Sequence, residues 1–354
     1  MKFTPAPPDP SLPPVRANLY SDTQSKPTAA MRAAMVAAEV GDEQRGEDPT
    51  VNALCARMAT LLGKEAALFL PSGTMCNEIA LLVHCRPGDE VLAHPTAHIL
   101  AAEGGAPAAL AGVQVTPLEG PRGQFEAATL IAALRPPSRY SPPQTLVVVE
   151  QTSNLGGGSV WRLETLRAVA VAARAHGLAT HMDGARLLNA CVAAGVPAHE
   201  MAKGYDSVWL DFTKGLGAPL GAVLAGSHAF IDAAWRWKQR LGGSLRQAGI
   251  CAAACLHALD HHVERLADDH ENALALARIL AQTAGIAVEL PETNLVFFDT
   301  TETGLEAAEL AARVRRHGVL ISAMGRYRAR ACLHLDVGRT EVALAAEAIR
   351  DAVR

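Results

Sequence analysis

The chain has 354 residues, a formal net charge of -4 and a pI of about 6.4, long enough for a large core and two domains. That charge balance gives no electrostatic reason to expect nucleic acid or an anionic membrane as a partner. The longest apolar stretches are alanine-rich, interrupted by Arg, Glu or Gly and too short to span a bilayer, and seven cysteines without a C-x-x-C pair fit a reducing cytoplasmic compartment.

In chain order, "MKFTPAPPDPSLPPVRANLY" carries six prolines by residue 14 and no apolar h-region, so residues 1–17 read as an extended arm rather than a signal peptide. From about residue 50 to 230 helical and strand-like segments alternate, the pattern of a mostly parallel sheet covered on both faces. "DPTVNALCARMATLLG" reads as a helix capped by Asp48 or Thr50 and closed by Gly63. "AALFL", "DEVLAH", "QTLVVVE", "LATHMD" and "DSVWLDF" read as strands, and "RLETLRAVAVAARAHG" as a helix ending at Gly177. Right-handed crossovers then place the ligand site in the crevice at the C-terminal strand ends. Beyond about 255 a long charged helix, "HALDHHVERLADDHENALALARILAQTAG", precedes short strands "NLVFFDT" and "ACLHLDV", the texture of a smaller α+β domain.

Four features carry chemistry. In "LDFTKGLGAPLGAV" Lys214 sits between an apolar strand and a run of glycines, a rigid strand-end position that suits a Schiff-base lysine and also an ordinary surface loop. In "THMDGARLLNA" Asp183 follows a strand and lies 31 residues before Lys214, about one strand–helix–strand unit, so both emerge at one sheet edge. A lysine that forms an imine and an acid that protonates a pyridine nitrogen together indicate pyridoxal phosphate, although Asp183 alone reads equally as a helix cap. "LPSGTMCNEIALLVHC" turns at Ser72, Gly73 and Thr74 into a helix whose first N–H groups and Thr74 hydroxyl form an anion cradle. "AHPTAHILAAEGG" places His94 and His98 near another strand end. A histidine there stacks on a cofactor ring or moves a proton, or is simply a hydrogen-bonded loop residue.

The segments "SDTQSKP", "GDEQRGEDPTVNAL", "LPSGTMCN", "AHILAAEGG", "HMDGAR", "TKGLGAPLGAVLAGS", "RWKQRLGGSLRQAGI" and "HLDV" occur in an order that resembles the low-specificity L-threonine aldolases, of the β-eliminating lyase group. The resemblance runs from about residue 18 to the C-terminus. It implies an α/β fold of the fold-type I pyridoxal-phosphate class, aspartate aminotransferase-like, with a mostly parallel sheet. The large domain would cover 18–255 and a smaller C-terminal α+β domain 256–354. It further implies Lys214 as the Schiff-base lysine, Asp183 as pyridinium partner, Gly73 and Thr74 at the phosphate, and His98 as the stacking histidine. Arg186, Arg330 and Ser21 would grip the substrate carboxylate, guanidinium geometry suiting that task. Arg246 would reach the cofactor phosphate across a subunit interface, which implies a homo-oligomer, dimer or tetramer.

Two departures stand out. Where the family commonly has "ENTHN" this chain has "EQTSN", so Ser153 replaces a histidine, and where it has "VYGDDPT" this chain has "EQRGEDPT", with Arg45 for an aromatic residue. Serine is a poor base at neutral pH, so removal of the substrate β-hydroxyl proton falls to His98, a water or another group. The implied activity is cleavage of a β-hydroxy-α-amino acid of threonine, allo-threonine or phenylserine type into glycine and an aldehyde. Rival readings are a β-eliminating lyase, transamination or racemisation, and a noncatalytic protein that keeps the fold. A nicotinamide dehydrogenase is disfavoured because the glycines of "NLGGGSV" lack the dinucleotide spacing. No metal is expected: His257, His261 and Glu264 share a helix face but lie in a heavily charged helix without partner ligands.

Overall fold

A computed structural model describes residues 9–354, so the start of the proline arm lies outside the described residues. In chain order the strands are β1 (Ala17–Asn18), β2 (Ala66–Leu70), β3 (Glu90–Ala93), β4 (Gln114–Pro117), β5 (Gln144–Glu150), β6 (Ala179–Gly184), β7 (Ser207–Asp211), β8 (Ala222–Gly226), β9 (Ala287–Glu289), β10 (Leu295–Asp299), β11 (Val319–Leu320), β12 (Ser322–Ala323) and β13 (Arg328–Cys332). The chain divides into two compact units, Ser25–Asp268 and a second made of the segment through Gln24 with Asp269–Arg354.

In the larger unit seven strands form one sheet in the order β2-β8-β7-β6-β5-β3-β4. Six run parallel and β8 alone is antiparallel to both its neighbours. The apolar run Leu146–Val149 is buried throughout, as a strand covered on both faces requires. The helix Pro49–Leu62 forms as its sequence predicts: the Asp48 carboxylate accepts from the Val51 N–H, and Gly63 closes it at φ 63°. Its Leu54, Met58 and Leu62 recur every fourth residue and are buried in the main core, each such side chain contributing about 1.5–3 kcal/mol by leaving water.

Register puts the chemistry at one edge. Glu150 is opposite Asp183, Asp183 opposite Trp209, and both Asp211 and Leu70 face Ala222. The chain therefore leaves β2, β5, β6 and β7 on the same side, toward Gly73, Ser153, Arg186 and Lys214.

The second unit holds an antiparallel sheet, β12-β13-β10-β9, and a parallel pair of β1 with β11. Here the expected boundaries shift. Residues 18–24 belong with the C-terminal segment because Leu19 exchanges backbone bonds with Leu320 and Cys332, and Asn294 donates to the buried Asp22 carboxylate at 3.0 Å. The other boundary falls at 268/269 rather than 255/256. The single long helix expected beyond 255 is two, Gly249–His261 and Leu266–Leu280. They are separated where the buried His262 ring turns to the Leu216 carbonyl at 2.7 Å, a bond that a straight helix would forgo.

Candidate active site

Lys214 lies in the loop after β7. Its carbonyl is held by the Ser25 hydroxyl at 2.8 Å and by the Gly217 N–H at 2.9 Å, so the glycine-rich turn is pinned on both sides. Its ammonium pairs with Asp211 and lies 5.7 Å from the centre of the Trp209 ring. The side chain keeps 17% of its surface open.

Asp183 ends β6 and is buried. Its Oδ2 accepts from Asn77 Nδ2 at 2.8 Å and its Oδ1 from the Ala185 N–H at 3.0 Å. Burial pushes its carboxyl up, opposed by the charge of His98, the Asn77 amide and Lys214. Asn77, on the helix Gly73–His84, cannot turn round: its Oδ1 accepts from Trp209 Nε1 at 2.7 Å, and an indole N–H can only donate. The amide NH2 is thereby aimed at Asp183 and, at 2.7 Å, at Glu103. Because Asn77 Oδ1 also meets His181 Nε2 at 3.2 Å, that nitrogen carries the proton. His181 Nδ1 then accepts from the Ser207 hydroxyl, which in turn accepts from His84 Nε2, both at 2.8 Å. Burial drives these two histidines down, His181 to about 3 and His84 to about 4, so both are neutral.

His98 opens a short helix after β3, its backbone N–H donating to Glu150 at 2.9 Å. Its Nδ1 contacts the buried Glu103 carboxylate at 2.7 Å, and the ring remains 34% exposed, with Nε2 left for a ligand. Burial alone would lower the His98 imidazole, but the Glu103 bond and the charges of Asp183, Glu103 and Glu150 raise it. Glu150 is itself pushed up to about 7 by burial and the Asp183 charge. Its second oxygen accepts from the Asn154 N–H at 2.8 Å, tying together the loops that carry His98 and Ser153.

Ser153 stands in the loop after β5. It is buried, and a Cβ added at Gly123, where φ is +78°, would lie 1.8 Å from its Oγ. The hydroxyl packs against Gly123 of another loop and Gly156 of its own instead of presenting an open base. Gly73 and Thr74 begin the helix Gly73–His84 behind the Ser72 cap. A Cβ at Gly73 would meet the Trp209 ring at 2.1 Å, so only glycine lets this helix start lie on the indole. Arg186 follows β6, buried, its N–H donating to the Gln151 carbonyl at 3.2 Å. Arg246 is exposed, paired with Asp42 at 3.0 Å.

Ser21 and Arg330 fall in the second unit, where the fold brings them together. Arg330 on β13 donates to the Tyr20 carbonyl at 3.3 Å, and Ser21 follows directly, its hydroxyl 2.7 Å from that of Thr23.

The sequence reading missed Asn77, Glu103, Glu150 and Asp211 as partners of the predicted residues. Asn77 and Glu103 stand inside the quoted motifs "LPSGTMCN" and "AHILAAEGG", which is the signal that would have found them. Glu150 and Asp211 likewise stand inside the quoted "EQTSN" and "LDFTKGLGAPLGAV", but only strand register shows what they face.

The residues of the larger unit fit pyridoxal phosphate. A dry carboxylate pushed up by burial is relieved by a cationic N–H partner, the glycine start of a helix admits a phosphate, and the lysine on the same edge is reachable.

Residues 18–303 match the family model described as β-eliminating lyase. The chain is 40% identical over 332 residues, 92% of its length and 93% of the relative's, to low-specificity L-threonine aldolase 1 of Arabidopsis thaliana. Among solved structures it is similar to a putative L-allo-threonine aldolase from Listeria monocytogenes, with a TM-score of 0.79 and 21% identity over 96% of each chain. An aspartate aminotransferase from Rhizobium meliloti matches with a TM-score of 0.70 and 15% identity, over 96% of this chain and 91% of the other. The architecture is that of the aminotransferase-like, fold-type I proteins.

Proposed function

The chain belongs to the β-eliminating lyase family, and from that membership we propose that it is a pyridoxal-phosphate-dependent aldolase that cleaves threonine-type β-hydroxy-α-amino acids to glycine and an aldehyde. The observation that carries the reading is the sheet edge at which the chain leaves β7, β6 and β3 toward Lys214, Asp183 and His98, in a chain 40% identical to a threonine aldolase.

Bound pyridoxal phosphate supplies an aldehyde that condenses with an amine and a ring that accepts the electron pair freed at the substrate Cα. The protein's part is to position and to move protons. Lys214 would hold the cofactor through Nζ, with the Asp211 carboxylate beside it as the partner of its charge. Asp183, fixed by Asn77, would hold the cofactor's ring nitrogen and favour its protonated form. The N–H groups and hydroxyl at Gly73 and Thr74 bind the phosphate. Arg186 binds the substrate carboxylate, and for Ser21 and Arg330 we keep the same role on the motif resemblance. Holding the carboxylate in place would select which bond at Cα is open to cleavage. His98 Nε2 takes the β-hydroxyl proton, since Ser153 is walled in, and Glu103 supports the charge that His98 gains.

Two finer assignments belong here. We place the enzyme in the reducing cytoplasm, supported by its seven free cysteines. We also assign it a homo-oligomeric state, dimer or tetramer, supported by the exposure of Arg246 on a loop that buried Glu43 holds through the Leu245 N–H at 2.9 Å.

The test is to incubate the cofactor-loaded protein with threonine, allo-threonine and phenylserine and quantify glycine and aldehyde together. Equal amounts of both are expected. Ammonia with a keto acid and no glycine would instead assign β-elimination or transamination.

A further inference from the structure

The peptide group between Leu216 and Gly217 is gripped at both ends. Its N–H donates to the Lys214 carbonyl at 2.9 Å, and its own carbonyl lies 2.7 Å from Nδ1 of the buried His262 ring. A carbonyl only accepts, so that nitrogen carries the proton. Because a peptide group is planar and rigid, fixing its oxygen also aims its N–H. Left to itself this peptide would turn easily. Gly215 and Gly217 flank Leu216, and Gly217 sits at φ +76°, where glycine changes conformation without a Cβ clash. His262, by contrast, is firmly placed. It caps the helix Gly249–His261, its N–H donating to the Ala258 carbonyl at 2.8 Å, and the His257 ring meets its ring edge-on at 5.3 Å.

We propose that His262 is a positioning residue for Lys214: by holding the Leu216 carbonyl it sets the peptide whose N–H holds the Lys214 backbone, and so fixes the place from which the lysine amine takes the cofactor. The ring acts through that peptide and not on the reacting atoms. Leu216 is itself buried, so a Leu216 carbonyl deprived of its donor is costly to leave unpaired. The peptide would rotate to find another partner, and the Lys214 carbonyl would be left to the Ser25 hydroxyl alone, at 2.8 Å. Ser25 and His262 lie at opposite ends of the larger unit's sequence, so the two donors tie the glycine-rich loop to segments that the loop itself cannot move. The interruption between the helices Gly249–His261 and Leu266–Leu280 is thereby linked to the chemistry.

This inference rests on Lys214 as the lysine that holds pyridoxal phosphate, and its test precedes aldol turnover. The full chain, freed of cofactor by dialysis, is mixed with pyridoxal phosphate in wild type, His262→Asn and His262→Leu. Imine formation, with loss of water, is followed by visible absorbance, and the product is reduced with borohydride and located by peptide mass spectrometry. The Asn amide nitrogen is attached to Cγ as Nδ1 is and keeps the donor, whereas Leu fills the space without one. His262→Leu should slow imine formation at Lys214 about tenfold, the scale of one lost hydrogen bond, and His262→Asn should return most of that rate. In turnover the loss in His262→Leu should fall on kcat rather than KM. NMR of the 15N-histidine-labelled wild type needs no folded Leu variant: the His262 signals, assigned by their absence from His262→Asn, should be those of a ring protonated at Nδ1. Imine formation in Leu at the wild-type rate, an Asn variant as slow as Leu, or a ring bare at Nδ1 would each overturn the proposal. Label on another lysine would overturn it together with the Schiff-base assignment. The expected pattern at Lys214 in a chain that makes no glycine would sink the aldolase reading alone and leave the role of His262 standing.

Discussion

Two lysines of the larger unit each rest on a carboxylate, and they are opposites. Lys214 pairs with Asp211 three residues away, at the crevice, with 17% of its side chain open. Lys238, in the helix His228–Arg240, pairs with Glu43, and neither side chain is more than 1% exposed. Burial pushes the Lys238 ammonium down while Glu43 opposes it, at a lysine closed to solvent. Perturbation alone is thus a poor guide to reactivity here. What distinguishes Lys214 is access, glycines around it, and an acid on the neighbouring strand. Lys238 and Glu43 fasten instead the loop of Leu245 and Arg246.

The contrast is broken or sharpened by exchanging the two lysines' fates. Lys214→Ala should lower glycine formation by about 10³-fold or more with little change in melting temperature; an active variant would refute its role. Lys238→Met should do the reverse. Stranding Glu43 without its cation costs about 3–5 kcal/mol, measured by urea denaturation, and adding Glu43→Leu should recover part of it. Gly73→Ala tests the crevice itself: the methyl must displace Trp209, costing about 1–3 kcal/mol and weakening cofactor retention, read from visible absorbance after dialysis.

The smallest effect is a pH slope. His84 and His181 titrate near 6.5 when unfolded, and at about 4 and 3 in the fold. As pH falls below 6.5 the unfolded chain binds protons that the folded chain refuses, so His84 withdraws stability between about pH 6.5 and 4 and His181 between about pH 6.5 and 3. Glu150, pushed up to about 7, acts in the opposite sense. Comparing wild type with His84→Gln isolates the histidine contribution, and denaturation midpoints against pH should be flatter in the variant.

Much of this was legible before any coordinates. Strand runs such as "QTLVVVE" and the capped helix after Asp48 depend on local sequence, and alternation of helix and strand placed Lys214 and Asp183 at one edge. The partners were less legible because they come from afar. Asn77 and Asp183 are separated by 106 positions, and Glu43 and Lys238 by 195. Ser153 was assigned by its place in a motif, whereas its environment is set by Gly123 in another loop. The break at His262 depends on a carbonyl 46 positions earlier.

The locked amide of Asn77 has an electrical consequence. Imidazoles and hydroxyls hand protons along, and His84, Ser207 and His181 form such a line toward Asp183. A carboxamide cannot join it, having no site at neutral pH that both takes up and gives off a proton. Asn77 is therefore an insulator set between a proton-conducting line and the carboxylate. It passes on the polarisation of its neighbours while blocking their protons, so the charge on Asp183 answers to the crevice in front of it and not to the histidines behind.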